Sequence, residues 1–154
     1  MKLDDLGVDF LIQEEGMVLH PYLDSAGIPT IGVGCTFYED GTKVKMTDKP
    51  ITKKRAIDLF KNTVATFEVT VSSVLQVEVT QNQFNALVSL CYNIGGGAFV
   101  NSTLLKKLNE KAPLPEIESW FLVWNKVGTE PILLGRRKRE FSLFVTGLPV
   151  VPLI

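Results

Sequence analysis

Glu15, Asp24 and Thr30 stand in an E-x8-D-x5-T pattern, and their residue types suit one kind of chemistry. Hydrolysis of a glycosidic bond needs one carboxylic acid to protonate the leaving oxygen. It needs a second group to handle water or the developing cation. Glu15 has two reasons to stay protonated near neutral pH: an apolar helix face, and the negative end of that helix's dipole. Asp24 and Thr30 fall on neighbouring extended segments of polar texture, a setting that can hold and deprotonate a water molecule. Taken alone, carboxylates at such spacing are also common surface charges.

The elements that carry these side chains can be read along the chain. Val8, Leu11, Ile12 and Glu15 recur at helical spacing, with Leu3, Leu6 and Phe10 alongside, and Gly16 stops the helix. Glu14 is turned about 100° away from Glu15. From His20 to Val44, Tyr22-Leu23-Asp24, Thr30-Ile31-Gly32-Val33 and Thr42-Lys43-Val44 read as short strands. Ser25-Ala26-Gly27 and Glu39-Asp40-Gly41 read as turns between them. This predicts a small antiparallel sheet, too small to hold a core alone. After the break at Lys49-Pro50-Ile51, Thr52 caps a long helix running to about Leu75, roughly 35 Å at 1.5 Å per residue.

Thr80 and Gln83 form a capping-box pattern before Phe84, Leu87, Val88 and Cys91, and Asn93-Ile94-Gly95-Gly96-Gly97 ends that helix. Ser102 caps a short helix with Leu104, Leu105 and Leu108. Pro115 opens another, with Ile117, Trp120, Phe121 and Trp124 inward. A final helix from about Gly135 carries Phe141, Phe144 and Val145 and stops at Gly147-Leu148-Pro149. The expected fold class is α+β. A small antiparallel β lobe over about residues 17–50 sits on a mostly helical body, about 51–154 with the N-terminal helix. The long helix joins the two lobes.

Composition narrows the function classes. A chain of 154 residues with 45% apolar residues is one globular domain, able to bury roughly 70% of its unfolded surface. A net charge of −1 argues against electrostatically driven binding to nucleic acid or anionic membrane. Cys35 and Cys91 match no zinc motif and read as buried free thiols. No stretch approaches the roughly 20 apolar residues of a membrane-spanning helix. Acids stand where a secretory signal needs basic residues, so the chain is expected in the cytoplasm without an export signal or membrane anchor.

His20, the single histidine, has no Ser or Cys neighbour for a triad and reads as a surface residue. Gly95-Gly96-Gly97 lacks the frame of a phosphate loop. Arg136-Arg137-Lys138-Arg139 has no aromatic platform for nucleic acid. Near a helix start these cations oppose the dipole, so something acidic should face them.

The segment Glu15-Gly16 with Tyr22-x-Asp24-x-x-Gly27-x-Pro29-Thr30-Ile31-Gly32-x-Gly34 resembles the active-site segment of phage-type lysozymes, glycoside hydrolase family 24. The resemblance continues through Asn93-x-Gly95-x-Gly97-Ala98-Phe99 and Ser102-Thr103-Leu104-Leu105-x-x-Leu108-Asn109. It ends at Trp124 and Gly135-Arg136-Arg137-x-x-Glu140, in the family's order over most of the chain.

By position, the resemblance implies Glu15 as general acid, Asp24 as second carboxylate and Thr30 as the threonine that helps orient water. It implies that an arginine at the start of a late helix holds the general acid. Counting back from Phe144-x-x-Gly147 puts Arg136 there and leaves Arg137 to pair elsewhere, for example with Glu140 one turn on. Tyr22, Asn93 and Ser102 are candidate substrate contacts, and Asn93 and Ser102 are equally candidates for structural caps. Many family members have His where this chain has Cys35. That histidine is structural in the resemblance, so activity is expected to survive the change.

The implied function is an endolysin muramidase that cleaves the β-1,4 bond between N-acetylmuramic acid and N-acetylglucosamine with inversion. Its substrate would be the glycan strands of peptidoglycan, bound between lobes, with no metal and no cofactor. A holin would be needed for release, and a monomer is expected. Two other readings are a lytic transglycosylase, disfavoured by the presence of both Asp24 and Thr30, and a non-catalytic peptidoglycan-binding module, disfavoured by the intact Glu-Asp-Thr set.

Overall fold

The computed structural model describes residues 1–148; Pro149, expected to help stop the last helix, lies outside them. The described chain is mostly helical with one small antiparallel sheet. In order come α1 (Asp5–Glu15), β1 (Val18–Leu23), β2 (Pro29–Gly32) and α2 (Lys53–Val74). They are followed by α3 (Gln81–Ile94), α4 (Gly96–Val100), α5 (Thr103–Asn109), α6 (Leu114–Leu122) and α7 (Leu134–Val145). Two compact units share them. A β unit comprises Val8–Thr66, and a helical unit comprises Met1–Gly7 with the chain from Phe67 onward. Helix α2 starts in the first unit and ends in the second.

Asp4 precedes helix α1, and its Oδ1 accepts the N–H of Gly7 at 2.9 Å and so satisfies a first-turn donor. The same oxygen accepts the Asn85 side-chain amide at 2.8 Å. Glycine at position 7 leaves room for this packing, because a Cβ there would press on the Asn85 side-chain amide and force it to shift. The helix ends at Glu15. Gly16 then turns left-handed at φ +82 and donates its N–H to Ile12 O at 2.7 Å, a closure that glycine makes without steric cost.

In the β unit, β1 and β2 pair with Tyr22 opposite Thr30, Leu23 opposite Pro29 and Val18 opposite Gly32. An irregularity interrupts the register between Val18 and Tyr22. The expected third strand does not form. Thr42-Lys43-Val44 makes only the isolated bridge Phe37–Lys43, through the two backbone bonds Tyr38 N to Thr42 O and Val44 N to Thr36 O. Side chains take the backbone donors that a ladder would use: Asp40 accepts Thr42 N–H and Asp48 accepts Lys45 N–H, both at 2.9 Å. A cluster of Ile31, Cys35, Val44 and Leu59 closes the unit, with Tyr38 and Ile51 packed against it. Thr52 caps α2 as expected, its Oγ1 accepting Arg55 N–H at 3.1 Å. The β-branched second half of α2 stays helical to Val74 because its tertiary packing outweighs propensity; Val71 is fully buried.

The helical unit centres on α3. Thr80 and Gln83 form a complete capping box, and every residue from Phe84 to Cys91 is buried. Leu87, Leu90, Phe99, Leu104, Phe121 and Phe144 build the core around it, each worth about 1.5–3 kcal/mol relative to exposure. Phe121 meets Phe144 edge-on at 5.4 Å. The glycines after Asn93 do end α3, but Gly95, at φ +94, also lets the chain restart as the short α4, which the sequence pattern did not suggest. Of the expected inward aromatics of α6, Phe121 is fully buried. Trp120 is half-buried, and half-buried Trp124 lies past the helix end.

Candidate active site

Glu15, Tyr22, Asp24 and Thr30 all belong to the β unit. Glu15 is the last residue of α1 and half-buried, set just before the Gly16 turn. Asp24 follows β1 directly and organises the tip of the hairpin. Its Oδ1 accepts the N–H of Ala26 at 2.8 Å and of Ile28 at 2.9 Å. Its main chain closes the same turn, with Asp24 N to Ile28 O at 3.0 Å and Gly27 N to Asp24 O at 2.9 Å. Gly27, at φ +77, supplies the left-handed residue that the turn requires. One carboxylate oxygen is thus committed to the backbone, and Oδ2 carries the remaining accepting capacity.

Thr30 is buried on β2, directly opposite half-buried Tyr22. Its hydroxyl donates to Ile28 O at 2.8 Å. With its hydrogen spent there, Oγ1 faces any further partner as an acceptor. Asp24 Oδ2 and Thr30 Oγ1 are therefore both acceptors, each oriented by the backbone of residue 28. Two such acceptors suit the two hydrogens of one water, which aims its lone pairs elsewhere.

The helical unit holds the other expected residues. Arg136 and Arg137, on the first turn of α7, are buried, and the acidic residue expected to face them is Glu140. Glu140 is i+4 from one and i+3 from the other, with Arg136 Nε at 3.2 Å from Oε2 and Arg137 Nε at 2.6 Å from Oε1. Arg136 Nη2 also donates to the carbonyl and the hydroxyl of Ser89, both at 3.3 Å, and Ser89 Oγ donates to Glu140 Oε2. Arg137 Nη2 donates to Asn93 Oδ1 at 2.7 Å. Burial pushes the Glu140 carboxyl up from its ordinary range, while Arg137, the Ser89 hydroxyl and Arg136 pull it back. The sequence reading had no place for Ser89. The available signal was a polar pair, Ser89 and Asn93, one turn apart in the mostly apolar second half of α3.

Asn93 thus accepts from Arg137, and Ser102 serves as the N-cap of α5. The Ser102 hydroxyl accepts Leu105 N–H at 3.1 Å and donates to Phe99 O at 2.6 Å. Cys35 lies in the β-unit core, 3.3 Å from Thr63 Oγ1, and burial raises its thiol above the ordinary range. A small half-polar thiol fits that packing without an ionic partner. His20 is exposed, with Nδ1 at 3.2 Å from Pro21 O. Arg137 pairs with Glu140 as expected. A groove of about 500 Å³ in the helical unit combines Val77, Val79, Leu108 and Phe144 with one acid, Glu78, and one amine, Lys111. It lacks the second carboxylate that glycoside hydrolysis uses.

The Phage lysozyme family model matches residues 12–140 of the chain. Over 147 residues the chain is 43% identical to the endolysin of Salmonella phage P22, covering 95% of this chain and 99% of that protein. A crystal structure of a P22 lysozyme mutant is similar at a TM-score of 0.88 and 42% identity, over 95% of this chain and 99% of that one. The muramidase domain of SpmX from Asticaccaulis excentricus is similar at a TM-score of 0.79 and 30% identity, over 94% and 98%.

Proposed function

The chain belongs to the phage lysozyme family, and on that footing we propose that Glu15 acts as general acid while Asp24 and Thr30 place the attacking water. The protein is an endolysin and a muramidase, a glycoside hydrolase acting on the β-1,4 bond between N-acetylmuramic acid and N-acetylglucosamine of peptidoglycan. Glu15 donates its proton to the glycosidic oxygen as the bond to the muramic acid anomeric carbon breaks. Asp24 Oδ2 takes a proton from the water, and Thr30 Oγ1 accepts the other hydrogen in a hydrogen bond. The water oxygen then attacks the face opposite the leaving group, so the product is inverted.

The observation that carries this reading is the hydrogen bonding around Ile28. Asp24 Oδ1 and the Thr30 hydroxyl hydrogen are both spent on that residue's backbone, which leaves Asp24 Oδ2 and Thr30 Oγ1 as acceptors for water. The test is release of reducing ends from purified peptidoglycan by the wild-type protein and by Glu15→Gln, which keeps the shape but has no acid proton. Glu15→Gln should fold normally and lose at least about 10²–10⁴-fold in turnover. A variant near wild-type rate would remove Glu15 from the role of acid, with Glu14 next to test.

No helix among the described residues is long and apolar enough to cross a membrane. We infer that the protein accumulates in the cytoplasm and reaches the wall after a holin has opened the membrane.

A further inference from the structure

The hairpin face that carries the two water acceptors also carries apolar groups that the hydrolysis derived above does not use. Tyr22 lies directly opposite Thr30, and Leu23 directly opposite Pro29. Successive residues of a strand point to opposite faces, so Tyr22 and Thr30 share one face while Leu23 and Pro29 share the other. One residue further on, Asp24 donates its N–H to Ile28 O at 3.0 Å, and the alternation returns both residues to the face of Thr30. The result is a patch with the acceptors Asp24 and Thr30 on one diagonal and Tyr22 and Ile28 on the other. Diagonal neighbours across a hairpin stand about 7–8 Å apart, a span that one bound sugar covers.

Ile28 divides its backbone and its side chain between different tasks. Its N–H goes to Asp24 Oδ1 at 2.9 Å, and its carbonyl accepts from Asp24 N–H and from the Thr30 hydroxyl. The side chain takes no part in those bonds and is 47% exposed, against 2% for Thr30. The turn would bond in the same way around another residue, since main-chain groups do the bonding. What isoleucine adds is a stiff, β-branched apolar group at the rim of the water site.

The chemistry of the reacting sugar decides what such a group meets. Water attacks the anomeric carbon, which has two ring neighbours. One is C2, bearing the acetamido group. The other is the ring oxygen, followed by C5 with its hydroxymethyl. An apolar side chain gains by covering the acetyl methyl and loses by desolvating the hydroxymethyl.

We propose that Ile28 is a specificity-determining residue, whose side chain packs against the N-acetyl methyl of the muramic acid residue being cleaved. The inference rests on the reading of Asp24 and Thr30 as the residues that place water, and adds to it a preference for the acyl group. Leu23 is the internal comparison: it is equally apolar and 56% exposed on the same hairpin, but on the other face.

The experiment uses two polymers: purified peptidoglycan, and the same material de-N-acetylated and then re-N-formylated, which lacks only the acyl methyl. Release of reducing ends gives kcat/KM on each for the wild type, Ile28→Ser, Leu23→Ser and Asp24→Asn. A methyl in a closed apolar pocket is worth about 10–200-fold, so on this open face Ile28→Ser should lose about three- to tenfold on the acetylated polymer. On the formylated polymer it should match the wild type, and Leu23→Ser should match the wild type on both.

Equal losses for Ile28→Ser on the two polymers, no loss on either, or a loss in Leu23→Ser as large as in Ile28→Ser would overturn the proposal and leave the water site standing. Near-wild-type turnover in Asp24→Asn would instead overturn the reading of the water site, and the proposal with it. Should Ile28→Ser disturb the turn, seen as faster amide exchange at Ala26, Ile28→Val takes its place, with a smaller loss confined to the acetylated polymer.

Discussion

Asp24 and Arg136 are both held by hydrogen bonds, but the two units of the molecule hold them by opposite means. In the β unit the carboxylate is oriented by main-chain N–H groups two and four residues on. In the helical unit the guanidinium is oriented by a carboxylate four residues on and by a serine 47 positions away. A backbone donor is present whatever residue other than proline occupies the position, whereas a side-chain partner exists only if its identity is kept. The hairpin should therefore tolerate change at Ser25, Ala26 and Ile28, while the α3–α7 network should not tolerate change at Ser89 or Glu140.

The sharpest way to test that contrast is at Asp24. Asp24→Asn retains Oδ1 as an acceptor for Ala26 and Ile28 but cannot take a proton from water. It should keep the hairpin and lose about 10²–10⁴-fold in turnover. Asp24→Ala should lose the turn as well, read as faster amide exchange at Ala26 and Ile28. Equal exchange in the two variants would show that the carboxylate does not build the turn, and the comparison would fail at its first point.

A smaller effect separates the units by pH. In the β unit, Asp48 is held below the usual carboxylate range by Lys45 N–H and then by the Tyr38 hydroxyl. Glu39 is lowered by its bond to Arg55, and Asp40 by Thr42. The Tyr38 hydroxyl is pushed up to about 12, by burial and then by Asp48. Carboxyls depressed in the folded state contribute stability above their unfolded values, about pH 4, and lose it as pH falls through the folded values. Glu140 belongs to another regime, since burial raises it. Amide protection at Thr42 and Lys45, corrected for intrinsic rates, should therefore drop as pH falls below about 4, before protection in the middle of α3 does. Simultaneous loss in both places would mean that these carboxyls do not stabilise the loop.

The same contrast explains what was legible in the sequence. Asp24, Gly27 and Thr30 interact within six residues of one another, so turn chemistry and strand alternation were enough to place them. Gly16, Thr52 and the Thr80–Gln83 box were readable for the same reason, each closing a helix end locally. The third strand was over-read because alternation at Thr42–Val44 does not reveal that Asp40 and Asp48 take the donors. Helix α4 was missed because three glycines signal an end and carry no information about a restart. The partnership of Arg136 with Ser89 joins residues far apart in the chain, and no local pattern encodes it; only the acid at Glu140 was within reach of helical spacing.

The central claim is that Asp24 and Thr30 direct water to the face opposite the leaving group, and the anomeric configuration of the first product tests it most directly. Proton NMR of the newly formed N-acetylmuramic acid reducing end, read before mutarotation, should show the α anomer appearing first from the β-1,4 bond. Initial appearance of the β anomer would mean retention, with Asp24 as nucleophile or stabiliser instead of water holder. A 1,6-anhydro product without a reducing end would mean that no water attacks, and would contradict the account outright.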